Sequence, residues 1–299
     1  MPAEKLNIVV GIATSGRREV LAQTISILTE QTRLPDCLVI CPVAPDDVDS
    51  LALKNFPRPT LVVSGPVGLP AQRNKILSAA TTADIIIFFD DDFFADADYI
   101  ENLEKIFLAR PDVIAATGVL LADGAQGPGF SVEQGLGIIR CAPKSDSPLS
   151  ELIECYGTYG CNMAFRLKSI MGHDILFDEN LPLYGWQEDI DFSQRVLPYG
   201  RIVKSAALRG VHLGIKLGRT SGVRFGYSQI ANPIYLIRKG SMPWRHANKL
   251  MSRNIAANLL RSFYPEPWID RRGRLKGNIL ALVDMIIGRI SPGRILQLD

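Results

Sequence analysis

Three consecutive carboxylates, Asp90-Asp91-Asp92, follow directly on five large apolar residues, Ile85-Ile86-Ile87-Phe88-Phe89. The apolar run reads as a strand buried on both faces, as in the middle of a parallel sheet. The acids fall where that strand must leave the core, and open α/β sheets bind ligands outside the carboxyl ends of their strands. Asp90 and Asp92 stand two apart, so a short extended link aims both at one hard cation. Oxygen ligands of this kind suit Mg2+ or Mn2+, which can also hold a substrate's phosphates. The same triplet can equally be an acidic turn that ends a strand and stays solvated. A second acidic pair, Glu188-Asp189, follows Tyr184-Gly185-Trp186 and heads a helical pattern. Acids at a helix start also cap free N–H groups and interact favourably with the macrodipole.

The elements that must position these groups follow from periodicity. Apolar runs at 7–13, 38–43, 60–64 and 113–118 read as strands beside the one at 85–89. Helical spacing runs over 19–31, 70–80 and from Asp96 or Asp98 to about 109, with Asp46-Asp47 expected to cap a short helix through Leu53. This alternation over the first 120 residues predicts a parallel, doubly wound sheet. No Gly-x-Gly-x-x-Gly follows the first strand, which counts against a dinucleotide fingerprint. Beyond Leu121, glycines and prolines predict irregular loops around a short strand near 137–141. A further strand is expected at 160–166, and a helix from Trp186 to about 197 with Asp191 and Arg195 spaced for an ion pair. Residues 214–226 read as a flexible, basic, glycine-rich stretch. Helices follow at 227–238, 244–263 and 275–290, the last two amphipathic.

At 299 residues, 47% apolar and 21% charged, the chain is globular and long enough for a large core. Its net charge of +2 hides an asymmetry: residues 1–237 carry 21 Lys/Arg against 27 Asp/Glu, and residues 238–299 carry 12 against 4. A basic tail on an acidic body suggests an anionic surface as partner. The five cysteines are scattered without a Cys-x-x-Cys pair, which favours free thiols in a reducing cytoplasm over a zinc cluster. The first residues lack an apolar signal core, and no run of 18 apolar residues is present to span a bilayer. The expected organisation is a catalytic domain over 1–225, nucleotide-binding to about 120 and acceptor-binding over 121–225. A basic amphipathic helical extension over 226–299 completes it.

Four pieces, in this order, resemble glycosyltransferase family 2, the inverting sugar-nucleotide transferases of the GT-A fold. They are the first strand with Thr14-Ser15-Gly16-Arg17, then Ala71-Gln72-Arg73-Asn74, Asp90-Asp91-Asp92 and Gln187-Glu188-Asp189; the stretch from Gly160 to Arg166 adds a fifth. The resemblance covers roughly residues 6–215. It implies a GT-A-type α/β fold with a mainly parallel sheet, and a bacterial surface-polysaccharide role in exopolysaccharide biosynthesis. It implies Mg2+ or Mn2+ on Asp90 and Asp92, with His212 as a further metal ligand or phosphate contact. Thr14, Ser15, Arg17, Arg73, Asn74 and Asp91 would serve the nucleotide, while Gly160, Asn162 and Trp186 line the sugar or acceptor pocket. Asp189 would be the general base, with Glu188 beside it orienting the acceptor or donor. Partners implied are a nucleoside-diphosphate sugar and a glycan or lipid-linked acceptor. Family members often carry an acid after the second strand that holds a uracil base. Here that strand ends Ile40-Cys41-Pro42-Val43, and the next acids are Asp46 and Asp47, so the donor base stays open.

Two rival readings accompany this one. A haloacid-dehalogenase-type phosphotransferase also places Asp-x-Asp after an apolar strand, but it wants Thr or Val where Phe94 stands. The other rival is a transferase-like scaffold that binds carbohydrate without catalysis. In the tail, Trp244, Leu250, Met251, Ile255, Leu259 and Leu260 recur at helical spacing, with Arg245, Lys249, Arg253 and Arg261 able to flank them. That pattern suits a peripheral position on the inner, cytoplasmic face of the cell membrane, or packing on protein, including a second copy of the chain, better than a groove for nucleic acid.

Overall fold

The computed structural model describes residues 5–217 and 220–298; residues 218 and 219 of the expected glycine-rich stretch lie outside them. In chain order the strands are β1 (Ile8–Thr14), β2 (Cys37–Pro42), β3 (Thr60–Val62), β4 (Ile85–Asp90), β5 (Phe93–Ala95), β6 (Val113–Asp123), β7 (Leu152–Glu154), β8 (Asn162–Arg166) and β9 (Arg201–His212). The helices are α1 (Arg18–Leu28), α2 (Ser50–Asn55), α3 (Leu69–Ala79), α4 (Tyr99–Ala109), α5 (Val132–Cys141), α6 (Leu167–Met171), α7 (Glu188–Val196), α8 (Gly222–Lys239), α9 (Trp244–Arg261) and α10 (Arg271–Ile286).

These strands form one sheet in the order β3-β2-β1-β4-β8-β6-β9-β5, with β7 also on β9. β3, β2, β1 and β4 run parallel, β8 enters antiparallel between β4 and β6, and β6 pairs β9 in parallel. The five apolar residues of β4 are all buried and divide between two layers. Ile85, Ile87 and Phe89 pack with α1 and α4; Ile86 and Phe88 pack with α3 and α7. Each such side chain contributes about 1.5–3 kcal/mol, so β4 is anchored from both sides and its acidic end is fixed in place.

Three local expectations change. Residues 137–141 belong to helix α5, because Ser131 and Gln134 form a reciprocal capping box at its start. Gly135, which reads as a loop former, instead lets the helix approach Leu213 and Phe94; a Cβ there would stand 2.3 Å from Leu213 Cδ2. The cap of α2 is Asp49, which accepts from the N–H groups of Leu51 and Ala52. Asp47 instead accepts from the Gly16 and Ala44 N–H groups and is buried.

The C-terminal helices build a core of their own, where Leu181 joins Tyr227, Ile230, Leu236, Met251 and Ala281. α8 and α10 meet backbone to backbone: a Cβ on Gly226 would stand 2.0 Å from the Arg274 carbonyl oxygen, and one on Gly277 2.1 Å from that of Val223. The expected stripe on α9 divides. Met251 and Ile255 turn inward, while Trp244, Leu259 and Leu260 are exposed. Among the described residues no helix is long and apolar enough to cross a membrane.

Candidate active site

β4 delivers its acids in alternation. Asp90 and Asp92 face one way and meet His212, the last residue of β9; one ligand atom from each lies within 4.8 Å of the others. His212 Nε2 is 3.4 Å from Asp92 Oδ1 and 3.9 Å from Asp90 Oδ2. Asp91 points the other way, accepts from Thr14 Oγ1 at 2.7 Å and pairs with Arg17 at 2.8 Å. Arg17 also donates to the Ile215 and Leu217 carbonyls, and Asp92 Oδ2 accepts from the Ile215 N–H, so the segment after β9 is tied to the acidic turn.

Asp92 Oδ1 is buried and, among the described residues, has no hydrogen-bond partner. An orphaned carboxylate oxygen is costly unless something satisfies it. Two carboxylates and an imidazole converging on that oxygen fit a divalent cation such as Mn2+ or Mg2+. Against burial, which disfavours its charge, the bond to Asp123 and the negative charges of Asp92 and Asp90 push His212 up to about 10. Burial also works to raise Asp92, yet His212, Arg17 and the Ile215 N–H hold it below the usual carboxylate range. Burial raises Asp90 despite the guanidinium of Arg73 beside it.

Arg73 joins this cluster to the second acidic pair. It lies on α3, only 2% exposed, and donates to Glu188, to Asp90 Oδ1 at 3.1 Å and to the Gly160 carbonyl at 2.8 Å. Its guanidinium also sits over the rings of Phe88 and Phe177. Both terminal nitrogens are engaged inside the protein, where the guanidinium braces the two acidic groups. Burial pushes Glu188 up to about 8 against the attraction of Arg73, and among the described residues Glu188 Oε2 is buried without a partner. Asp189 Oδ2 accepts from the Gly160 N–H at 3.0 Å and Oδ1 from the Ile190 N–H at 2.8 Å.

The loop before α7 presents these acids from a constrained backbone. Leu183, Gly185 and Gln187 all have positive φ, a costly state for the two that carry side chains. Gly185 packs on Pro70, where a Cβ would stand 2.8 Å from Cγ. Trp186 is half-buried, its ring 6.0 Å from that of Phe225 and its carbonyl bonded to Asn232. The Asp191–Arg195 pair forms as spaced, at 3.0 Å, and Asp191 also holds Lys239 and Ser241 beyond the end of α8.

Two sequence candidates are not brought to the cluster. Asn74 is buried and bonds both ways to Phe177 and to Glu179, so it fastens that segment to α3. Asn162 is fully buried, its Oδ1 accepting from the Gly118 N–H at 2.6 Å and Thr117 Oγ1 at 3.0 Å, so it ties β8 to β6. Ser15 lies exposed beside Gly16. Two residues were missed: Asp123, 2.9 Å from His212 Nδ1, and Tyr159, whose hydroxyl donates to Asp123. The signal for Asp123 was a further apolar strand ending in an acid, lost when the strand was ended at Gly118.

The family model described as Glycosyl transferase family 2 matches residues 9–170, more than half of the chain. A curated relative, the glucosyl-dolichyl phosphate glucuronosyltransferase of Haloferax volcanii, is 31% identical over 86 residues, 28% of this chain and 27% of that protein. The match thus spans about a quarter of the relative's length. Among solved structures, S. aureus TarS 1-349 superposes with a TM-score of 0.57 at 15% identity, covering 98% of this chain and 83% of that one. Mannosyltransferase PcManGT from Pyrobaculum calidifontis, in complex with GDP-Man and Mn2+, gives 0.55 at 15% identity over 99% and 79%. At such identities the likeness is one of fold.

Proposed function

This chain belongs to glycosyl transferase family 2 and is a glycosyltransferase, and on that premise we propose that it transfers a sugar, with inversion and with the help of a divalent metal, from a nucleoside-diphosphate sugar to a hydroxyl of a glycan or lipid-linked acceptor. The observation that carries the reading is the pairing of Asp90, Asp92 and His212 with Asp189, two groups joined through the Arg73 guanidinium and Gly160. Asp90, Asp92 and His212 would hold Mg2+ or Mn2+, which would offset the charge that develops on the leaving pyrophosphate. Asp189 takes the proton of the acceptor hydroxyl as its oxygen bonds to the anomeric carbon and the bond to the leaving phosphate oxygen breaks. Arg73 fixes the spacing between the two groups, and Glu188, with one oxygen unpartnered, orients the acceptor. Thr14, Arg17 and Asp91 shape the nucleotide floor, with Ser15 at its exposed edge; Gly160 and Trp186 line the acceptor side.

The donor class is supported by neighbours of the same fold bound to GDP-Man and Mn2+ and to UDP-GlcNAc. A lipid-linked acceptor is supported by the dolichyl phosphate in the name of the curated relative and by the C-terminal surface. There Phe263, Ile279, Val283 and Ile286 are exposed, with Arg272 and Lys276 on the same face of α10 as the three aliphatic residues. Apolar and basic side chains on one face suit the headgroup layer of an anionic membrane, which supports a peripheral position on the cytoplasmic face. The test of the reaction is titration with Mn2+ and UDP, GDP, dTDP or CMP in turn, then turnover of the matching sugar nucleotide with and without EDTA. Turnover unchanged by EDTA and by Asp92→Ala would remove the metal from the mechanism.

A further inference from the structure

His212 is held from behind by Asp123. The pairing of β6 with β9 sets Asp123 directly beside His212, and it does so through three irregularities in register, near Val113, Gly118 and Leu120. Gly118 makes the middle one practicable: a Cβ there would stand 2.2 Å from the Leu208 carbonyl oxygen. Such bulges recur near active sites, where they re-aim a side chain. Asp123 Oδ1 lies 2.9 Å from His212 Nδ1 and also accepts from the Ala125 N–H at 2.9 Å. A carboxylate only accepts, so Nδ1 carries a proton whatever the charge of the ring, and Nε2 is the nitrogen that faces Asp90 and Asp92. The second oxygen, Oδ2, accepts from the Tyr159 hydroxyl at 3.0 Å, and the Tyr159 ring meets the imidazole edge to face at 6.2 Å.

We propose that Asp123 is a positioning residue that fixes His212 with Nε2 toward the cation, and that Tyr159 locks Asp123 in that role. The proposal rests on reading Asp90, Asp92 and His212 as a divalent-metal site. Imidazole ligands generally donate their other N–H to a carboxylate or carbonyl, which sets ring orientation and raises ligand basicity. Tyr159 adds a second connection. Its N–H bonds Thr117 Oγ1, and the next residue, Gly160, holds the Asp189 carboxylate. The short segment 159–160 therefore touches the support of the metal ligand at one end and the base at the other.

The test is uptake of Mn2+ alone, followed by water-proton relaxation, in a cycle of Asp123→Ala, His212→Ala and the double variant. Asp123→Ala should weaken Mn2+ binding about 10–100-fold, and Tyr159→Phe by roughly fivefold, the worth of one hydrogen bond. In the His212→Ala background, Asp123→Ala should change affinity by less than about twofold, because a residue acting through the imidazole has nothing left to position. A merely structural Asp123 would weaken binding equally in both backgrounds, and that result, or unchanged affinity on Asp123→Ala, overturns the assignment. If Asp123→Ala does not fold, Asp123→Asn carries the same cycle. A parent protein that takes up no Mn2+ overturns the metal reading, and this assignment with it.

Discussion

The Gly160 N–H donates to Asp189 Oδ2 at 3.0 Å, while the carbonyl of the same residue accepts from Arg73 at 2.8 Å. One residue thus touches the base on one side and, through Arg73, Asp90 and Glu188 on the other. The position of Asp189 is fixed by backbone.

Asp189→Asn keeps the size and removes the base, so kcat should fall by about 10²–10⁴, with nucleotide affinity nearly unchanged in a calorimetric titration. Burial raises Asp189, opposed by the Ile190 N–H, the charge of Arg73 and the Gly160 N–H. The base works deprotonated, so activity should be lost as pH falls through this raised value. The acid limb of kcat/KM should lie above the range of an ordinary aspartate.

Gly160→Ala tests the backbone hold. A Cβ at Gly160 would stand 3.3 Å from Asp189 Oδ2 and 3.7 Å from its Cβ. The carboxylate must give way by a few tenths of an ångström, and small displacements of reacting groups are costly. A drop in kcat of roughly tenfold is expected with the thermal midpoint nearly unchanged. Unaltered kcat would show that the base tolerates the shift.

Acid should loosen the C-terminal helices through Asp178. Burial works to raise its carboxyl, but Lys239, the Asn180 N–H and the Tyr235 hydroxyl hold it down at about 2. A depressed carboxyl contributes stability that is present above its unfolded value near 4 and lost as pH falls through 2. Asp178→Asn should cost on the order of 1–2 kcal/mol at neutral pH after allowance for solvent screening. The difference between parent and variant in urea unfolding should vanish between about pH 4 and pH 2. A constant difference over that window would place the effect elsewhere.

The membrane role can be tested on the whole chain with Phe263→Ser, Ile279→Ser and Ile286→Ser combined. The parent should float with anionic vesicles, less so as salt rises, and the triple variant should remain in solution. Absence of flotation by the parent at low salt sinks the role. A concentration-dependent dimer abolished by the same changes would assign this face to a second copy.

Much of the nucleotide half was legible because its strands are unbroken apolar runs between helices with clear spacing. The acids of β4 were legible for the same reason: a buried strand leaves its polar residues only at the end. β9 was not, since its apolar pattern is interrupted by Lys204, which is exposed, and by Arg209, which pairs with Asp96. Missing β9 hid the register that brings Asp123 to His212. The two asparagines misled for another reason. Amides serve substrates and buried backbone equally well, and only the fold shows that Asn162 closes a bulge and Asn74 pins a loop. Arg73 stands out by its place in the motif, but spacing could not say that its partners in the fold are the carboxylates themselves.

The glycine contact between α8 and α10 fixes how the C-terminal helices meet the loop before α7. With Gly226 seated against the Arg274 carbonyl and Gly277 against that of Val223, there is no cushion of side chains to absorb a displacement of α10. The neighbouring Phe225 carries the guanidinium of Arg274 over its ring and leans on Tyr184 and Trp186. Arg274 of α10 and the aromatics of the strained loop that presents Glu188 and Asp189 therefore bear on one ring, Phe225.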